Sequence, residues 1–311
     1  MIVLSQLGPP LETAVKERFD DVAVTAIPYG ERAPDGVRGD VLVVLPTATR
    51  EAPVLTQLDD LGVQWVHLAS TGIDAYPLDL LRGRVVTCNR GVSGVPIAEF
   101  TLAAMLAFEK RLPDVWAREP PEHWAWAELG TLDGRTLGLV GLGGIGVEVA
   151  RRALAFGMRV VAVRRTAQPS PLPGVEVVPS LDEVLREADH LVVTAPATAA
   201  TRHLLDASAF AMVKPGLHLV NISRGSLVDQ DALRVALDDG RVAMASLDVA
   251  EPEPVPAGHW LYEHPRVRLS PHLSWSSPRL LEGSTEYFVA NLARYKAGQP
   301  LAGLVDVDEE Y

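Results

Sequence analysis

One short stretch limits what this chain can fold into more than any other. Residues Thr136 to Val140 form a β-rich run that leads directly into Gly141-Leu142-Gly143-Gly144-Ile145-Gly146, and a helical pattern continues from Ile145 to Phe156. Gly141, Gly143 and Gly146 keep a G-x-G-x-x-G spacing. In a strand–turn–helix unit of this kind the first glycine makes the tight turn and the second lets a pyrophosphate approach the backbone. The third lets the helix pack close to the strand. The unbonded N–H groups and the positive dipole end of the helix then face the anion. The motif predicts a parallel α/β sheet that binds a dinucleotide, with Gly141, Gly143, Gly144, Ile145 and Gly146 as candidate cofactor contacts.

The rest of the chain repeats this texture. Ile2–Leu4, Val22–Val24, Val41–Leu45 and Trp65–Leu68 are continuous apolar runs, as expected of strands covered on both faces. A second series follows at Thr136–Val140, Arg159–Val163, Val175–Val178, His190–Thr194, Leu217–Asn221, Ala243–Leu247 and Val267–Leu269, with helical patterns in most of the gaps. Strands alternating with helices make parallel βαβ units. A length of 311 residues suits two domains of about 150 residues each. The fold class expected is α/β, with two Rossmann-like or flavodoxin-like domains and the active site in the cleft between them. Residues 1–102 plus 275–311 are read as the substrate domain, because the last helical pattern, Pro278–Lys296, can return to the first sheet. Residues 103–274 are read as the dinucleotide-binding domain. Between Leu112 and Asp133 the prolines Pro113, Pro120 and Pro121 and the tryptophans Trp116, Trp124 and Trp126 mark an arm, whose aromatics are expected to bury against the other domain or a partner subunit.

Chemistry-bearing residues cluster just after strands of the second series, where ligands sit in open parallel sheets. Arg224 follows one strand, Asp248, Glu251 and Glu253 lie in a proline-stiffened loop after the next, and His272 follows the one after that. Val161–Val163 ends in Arg164-Arg165-Thr166, and no acidic residue lies between Arg159 and Gly174. An NAD site usually offers an acidic side chain there to the ribose hydroxyls, whereas arginine suits a 2′-phosphate. NADP is therefore the expected cofactor and NAD the alternative, with Arg164, Arg165 and Thr166 at the adenosine end.

Taken together, these motifs resemble the D-2-hydroxyacid dehydrogenases, the family of glyoxylate/hydroxypyruvate reductases and phosphoglycerate dehydrogenases. The resemblance is most specific from Thr136 to Ser277 and extends to Ser70–Asp74, Asn89–Gly91 and Pro96–Glu99. It implies that Arg224, Glu253 and His272 are catalytic and that Arg224 also binds substrate. It further implies that Asp248 lies near the nicotinamide carboxamide, that Ala195, Pro196 and Ser223 border the cofactor, and that backbone N–H groups at Ser70, Thr71 and Gly72 help hold the substrate carboxylate. Members are commonly homodimers, so a homodimer is expected. The chain departs from the family pattern at Arg164, at Ala250, where a bulky residue is more usual, and at Trp275, where small residues are common. Substrate identity accordingly does not carry over.

Residue chemistry points the same way. Reduction of a 2-keto acid leaves negative charge on the carbonyl oxygen, which a positioned imidazole can protonate. A carboxylate beside that imidazole favours its charged form, and a guanidinium offers a planar fork to the substrate carboxylate. The expected activity is hydride transfer between NADP(H) and a small 2-keto or 2-hydroxy acid. Alternatives are an NAD-dependent dehydrogenase of the same family and a non-catalytic dinucleotide-sensing regulator. The formal net charge of −12 makes nucleic acid and membrane surfaces poor partners. Cys88 is alone, which excludes an intrachain disulfide, and no histidine or carboxylate spacing indicates a metal. With neither a signal-peptide pattern nor a long apolar stretch, the expected location is the cytoplasm.

Overall fold

The computed structural model describes residues 1–47, 52–165 and 168–309. These fall into two units, Met1–Ser93 with Ser277–Tyr311, and Gly94–Ser276. The first division falls at the start of a helix, a few residues ahead of the boundary at 102 expected from the sequence. Helix and sheet share one core there, so they belong to one unit.

The first unit runs β1 (Ile2–Ser5), α1 (Pro9–Arg18), β2 (Ala23–Ala26), β3 (Val41–Val44), α2 (Leu58–Leu61), β4 (Trp65–Leu68) and β5 (Val85–Cys88). Its sheet is parallel in the order β2-β1-β3-β4-β5, the flavodoxin-like arrangement. Every residue of β3 and β4 is buried, as strands covered on both faces require. One face carries α1 and the C-terminal helix Leu280–Lys296, where Trp65 stacks on Phe288 at 5.4 Å and on Tyr295 at 4.9 Å. The other packs Leu42, Val44, Val66 and Leu68 against Leu55, Leu58 and Leu61. β5 has no counterpart among the strands read from the sequence. Its four residues sit between Arg84 and Asn89 and include a threonine, too short and mixed a run to stand out. Cys88 is buried in it, and that burial raises its thiol pKa even though Arg90 opposes the shift.

The second unit runs α3 (Gly94–Glu109), β6 (Thr136–Val140), α4 (Gly144–Ala155), β7 (Arg159–Val163), β8 (Val175–Val178), α5 (Leu181–Glu187), β9 (His190–Val193), α6 (Ala207–Met212), β10 (Leu217–Asn221), α7 (Gln230–Asp238), β11 (Val242–Leu247), α8 (Trp260–Glu263) and β12 (Val267–Leu269). Its sheet is parallel in the order β12-β11-β10-β9-β6-β7-β8. Strand order reverses between β6 and β9, and the crevice at such a switch point is where a parallel α/β sheet binds its ligand. Helices cover both faces, giving two apolar layers around the central strands.

Between α3 and β6, Trp116, Trp124 and Trp126 are exposed by 67%, 81% and 84%. These side chains are thus exposed, and the burial expected of this arm is not met within its own unit. Among the described residues no helix is long and apolar enough to cross a membrane.

Candidate active site

The loop from β6 to α4 is shaped by its glycines in two different ways. Gly141 has φ of 104°, and a Cβ there would lie 2.9 Å from the Ala195 nitrogen and from Thr194 Oγ1. Gly146 closes on Gly141, with a Cβ position 2.6 Å from that residue's carbonyl oxygen. The protein's own packing therefore demands both outer glycines. Gly143 between them has nothing within 4 Å of its Cβ position, leaving room for a group from outside. The N–H groups of Gly144, Ile145 and Gly146 find no acceptor among the described residues, and Val147 is the first to bond back, to Gly143 O at 2.9 Å. Open space and unbonded donors at the start of α4 fit a dinucleotide pyrophosphate.

Around this loop, the Ser223 hydroxyl donates to Ala195 O, and Pro196 O accepts from Thr201 Oγ1 at 2.7 Å. The loops after β9 and β10 are thus tied to each other beside the glycines. At the end of β7, Arg164 donates to Pro169 O at 3.1 Å and Arg165 is exposed. Thr166 lies outside the described residues.

The three candidate catalytic side chains rise from the carboxyl ends of adjacent strands. His272 Nδ1 and Glu253 Oε2 are 2.8 Å apart, and the other Glu253 oxygen accepts from the Ala250 N–H at 2.9 Å. An ionised carboxylate only accepts, so Nδ1 carries the hydrogen and Nε2 is left to face a substrate. Burial alone would raise the Glu253 pKa. Hydrogen bonds from the His272 ring and the Ala250 N–H, with the charges of His272 and Arg224, outweigh it and hold the carboxyl below its ordinary range. Arg224 leads the loop after β10, with Nη1 donating to Ser223 O at 2.7 Å. An anionic base, a cation and an imidazole whose Nε2 has no partner among the described residues therefore share one strand-end cluster, a set able to hold a carboxylate and protonate an oxygen.

In the first unit, the loop after β4 folds on itself. Ser70 Oγ donates to Gly72 O at 2.7 Å and Thr71 Oγ1 donates to Asn89 O at 2.9 Å. Both hydroxyls are thus used internally, while the backbone N–H groups of Ser70, Thr71 and Gly72 have no acceptor among the described residues. Successive free N–H groups in a turn make a small anion cradle.

Comparison with known proteins identifies the family. The model of the NAD-binding domain of D-isomer-specific 2-hydroxyacid dehydrogenases matches residues 102–274. A glyoxylate reductase of Korarchaeum cryptofilum is 38% identical over 234 residues, covering 72% of this chain and 70% of that protein. One of Thermococcus litoralis is 32% identical over 282 residues, covering 86% and 84%. The chain belongs to the D-isomer-specific 2-hydroxyacid dehydrogenase family. A solved structure of a family member from Xanthobacter autotrophicus Py2, in complex with NADPH and MES, superposes with a TM-score of 0.83 at 26% identity, over 100% of this chain and 99% of that one.

As a family member with an NAD(P)-binding domain, this chain has two carboxylates in one loop, and their surroundings separate them. Glu251 is gripped by Arg202 through two bonds of 2.9 and 3.2 Å, and its backbone N–H donates to Gln230 at 3.1 Å. It is a structural anchor, leaving Glu253 as the partner of His272. Two supporting residues escaped the sequence reading. Asn221, almost fully buried at the end of β10, donates from Nδ2 to Arg224 O at 2.9 Å and accepts from Ser223 N at 3.1 Å. Gly225 presses so closely on the next loop that its Cβ position lies 2.0 Å from the Ala250 carbonyl carbon. The available signals were a polar residue closing an apolar strand and a glycine directly after the arginine.

Proposed function

We propose that this protein is a reductase that uses NADPH to convert a small 2-keto acid of the glyoxylate or hydroxypyruvate type to the 2-hydroxy acid. The His272–Glu253 pair at 2.8 Å, beside Arg224, carries the reading. When bound, the nicotinamide cofactor supplies the hydride. Gly141, Gly143, Gly144, Ile145 and Gly146 would hold its pyrophosphate, with Ala195, Pro196, Ser223 and Asp248 toward the nicotinamide end. Arg224 receives the substrate carboxylate through its planar fork and polarises the keto oxygen. His272 gives its Nε2 proton to that oxygen as charge develops there, and Glu253 balances the imidazolium beforehand and fixes the ring. We assign the first unit to substrate binding, with Ser70, Thr71 and Gly72 as backbone donors to a carboxylate.

The preference for NADPH rests on Arg164 and Arg165 at the end of β7 and on the absence of an acidic residue from Arg159 to Gly174. NADPH is also the cofactor in the Xanthobacter relative's structure. Initial rates with glyoxylate, hydroxypyruvate, phenylpyruvate and branched 2-keto acids, each with NADPH and NADH, test both parts. The reading expects higher kcat/KM with NADPH, and equal or better efficiency with NADH would reject that preference. Absence of turnover with every keto acid would reject the reductase itself. We further assign a homodimer working in the cytoplasm, with the exposed Trp116, Trp124 and Trp126 covered by a second copy. Sedimentation showing only a 33.5 kDa species would remove the dimer.

A further inference from the structure

A residue held at positive φ by its surroundings marks where a site spends conformational freedom, and His272 is such a residue. Its φ is 53°, uncommon for any side chain other than glycine. A left-handed turn of this kind lasts only where its neighbours over-determine it. Those neighbours converge on one side chain. Asp248, 1% exposed in the loop after β11, accepts from Ser270 Oγ at 2.5 Å and Leu273 N at 3.0 Å through Oδ1, and from Ser274 N at 2.8 Å through Oδ2. Its backbone carbonyl accepts the His272 N–H at 2.8 Å. Residues on both sides of the histidine are therefore stapled to one buried carboxylate, and the histidine itself to the same residue's main chain.

We propose that Asp248 is a positioning residue: its carboxylate holds the loop Ser270–Ser274 in the one conformation that directs the His272 ring at Glu253. This goes beyond the resemblance, which places Asp248 beside the cofactor. Three of the four acceptor positions of the carboxylate are taken by the histidine loop. Far from solvent, such charge-assisted bonds to backbone N–H groups are strong and directional. Asp248 is itself anchored, its own N–H donating to Asn221 O at 2.9 Å. The Trp275 indole N–H donates to His272 O at 2.7 Å and restrains the far side of the turn. An amide in place of the carboxylate must turn an NH2 toward at least one of the three donors, and the turn opens there.

The inference rests on His272 being the proton donor, and the experiment separates the two. Asp248→Asn, Ser270→Ala and His272→Ala are compared in the full chain for folding by circular dichroism and for kcat at saturating NADPH. NADPH affinity is measured by fluorescence titration, and kcat is followed from pH 6 to 9. Asp248→Asn is expected to lower kcat by about 10²-fold, the effect of displacing a reacting group by about 1 Å. Ser270→Ala removes one neutral donor and leaves every charge in place. It is expected to lower kcat by about 3- to 10-fold, with NADPH affinity and the pH profile unchanged. A purely structural contact would alter the melting temperature and leave kcat intact, and a contact serving the cofactor alone would weaken NADPH binding in Ser270→Ala while kcat at saturating NADPH stayed unchanged. Either result overturns the proposal. Should Asp248→Asn fail to fold, Ser270→Ala alone decides. If His272→Ala keeps normal turnover, the assignment of the proton donor fails first, independently of Asp248.

Discussion

Gly225→Ala adds a single methyl group and reaches the catalytic pair without touching it. The Cβ would stand 2.0 Å from the Ala250 carbonyl carbon, 2.2 Å from its oxygen and 2.5 Å from Glu251 N. All three are backbone atoms, so no side-chain rotation relieves the clash. Carbon atoms settle about 3.5 Å apart, so roughly 1.5 Å of separation has to be found between the loops after β10 and β11. Ala250 is also the residue whose N–H holds Glu253 Oε1 at 2.9 Å, and Glu253 in turn holds His272. Part of the displacement therefore passes to the imidazole. With half the shift reaching the reacting groups, kcat should fall by about 30- to 100-fold. NADPH binding at the β6–α4 loop should be unaffected. Steady-state reduction of a 2-keto acid at saturating cofactor, with a melting curve to confirm folding, measures this. A folded alanine variant with kcat within about threefold of the parent would refute the reasoning.

The other predictions test separate parts of the site. His272→Ala should lose about 10²- to 10⁴-fold in kcat across pH 6 to 8, and normal turnover there would remove its role. Arg224→Ala should act mainly on recognition, raising the keto-acid KM by about 10- to 100-fold for the loss of a charge-assisted fork, and an unchanged KM counts against it. Arg164→Ala should lower kcat/KM for NADPH by about tenfold or more while sparing NADH, and equal losses with both would show a merely structural arginine. Stability should fall on acidification. Burial pushes the His67 pKa down to about 4 from 6.5, although its bond to Asn89 opposes this. Burial also lowers His190 and His218. Below pH 6.5 the unfolded chain binds protons these rings refuse, so stability is full above pH 6.5 and is lost down to pH 4. His67 alone accounts for roughly 3 kcal/mol. Urea unfolding at pH 7, 5.5 and 4.5 reads this out, and a flat stability would contradict it.

The α/β class and the nucleotide loop could be read in the sequence because both depend on local pattern. β-rich runs such as Val41–Val44 and Leu217–Asn221 are buried throughout in the structure, and the glycine spacing coincides with the turn before α4. Arg224, Glu253 and His272 stood out as candidates because each follows such a run and their order resembles the family pattern. Harder to see was what depends on neighbours distant in sequence. β5 is strand because β4 offers it a ladder, and its own composition is too mixed to announce it. The need for glycine at 225 arises from Ala250, and the separation of Glu251 from Glu253 arises from Arg202 and Gln230. Nor does spacing reveal that Asp248 spends its oxygens on the histidine loop.

These supports follow an order imposed by the parallel sheet. β10, β11 and β12 lie side by side, so the loop leaving each can brace the loop leaving the next. Asn221 closes the Arg224 turn, and Gly225 rests on Ala250. Ala250 holds Glu253, while Asp248 holds the loop that presents His272 back to Glu253. A disturbance near Arg224 consequently passes through the loop after β11 before it reaches the imidazole, and Asp248 stands between the two. Antiparallel hairpins would place such loops at alternate ends of the sheet and break this sequence of contacts. In a parallel sheet, catalytic groups spread over about fifty residues are fixed relative to one another by short contacts between adjacent strand ends. That is the physical reason an arginine, a glutamate and a histidine so far apart in the chain stand together at adjacent strand ends.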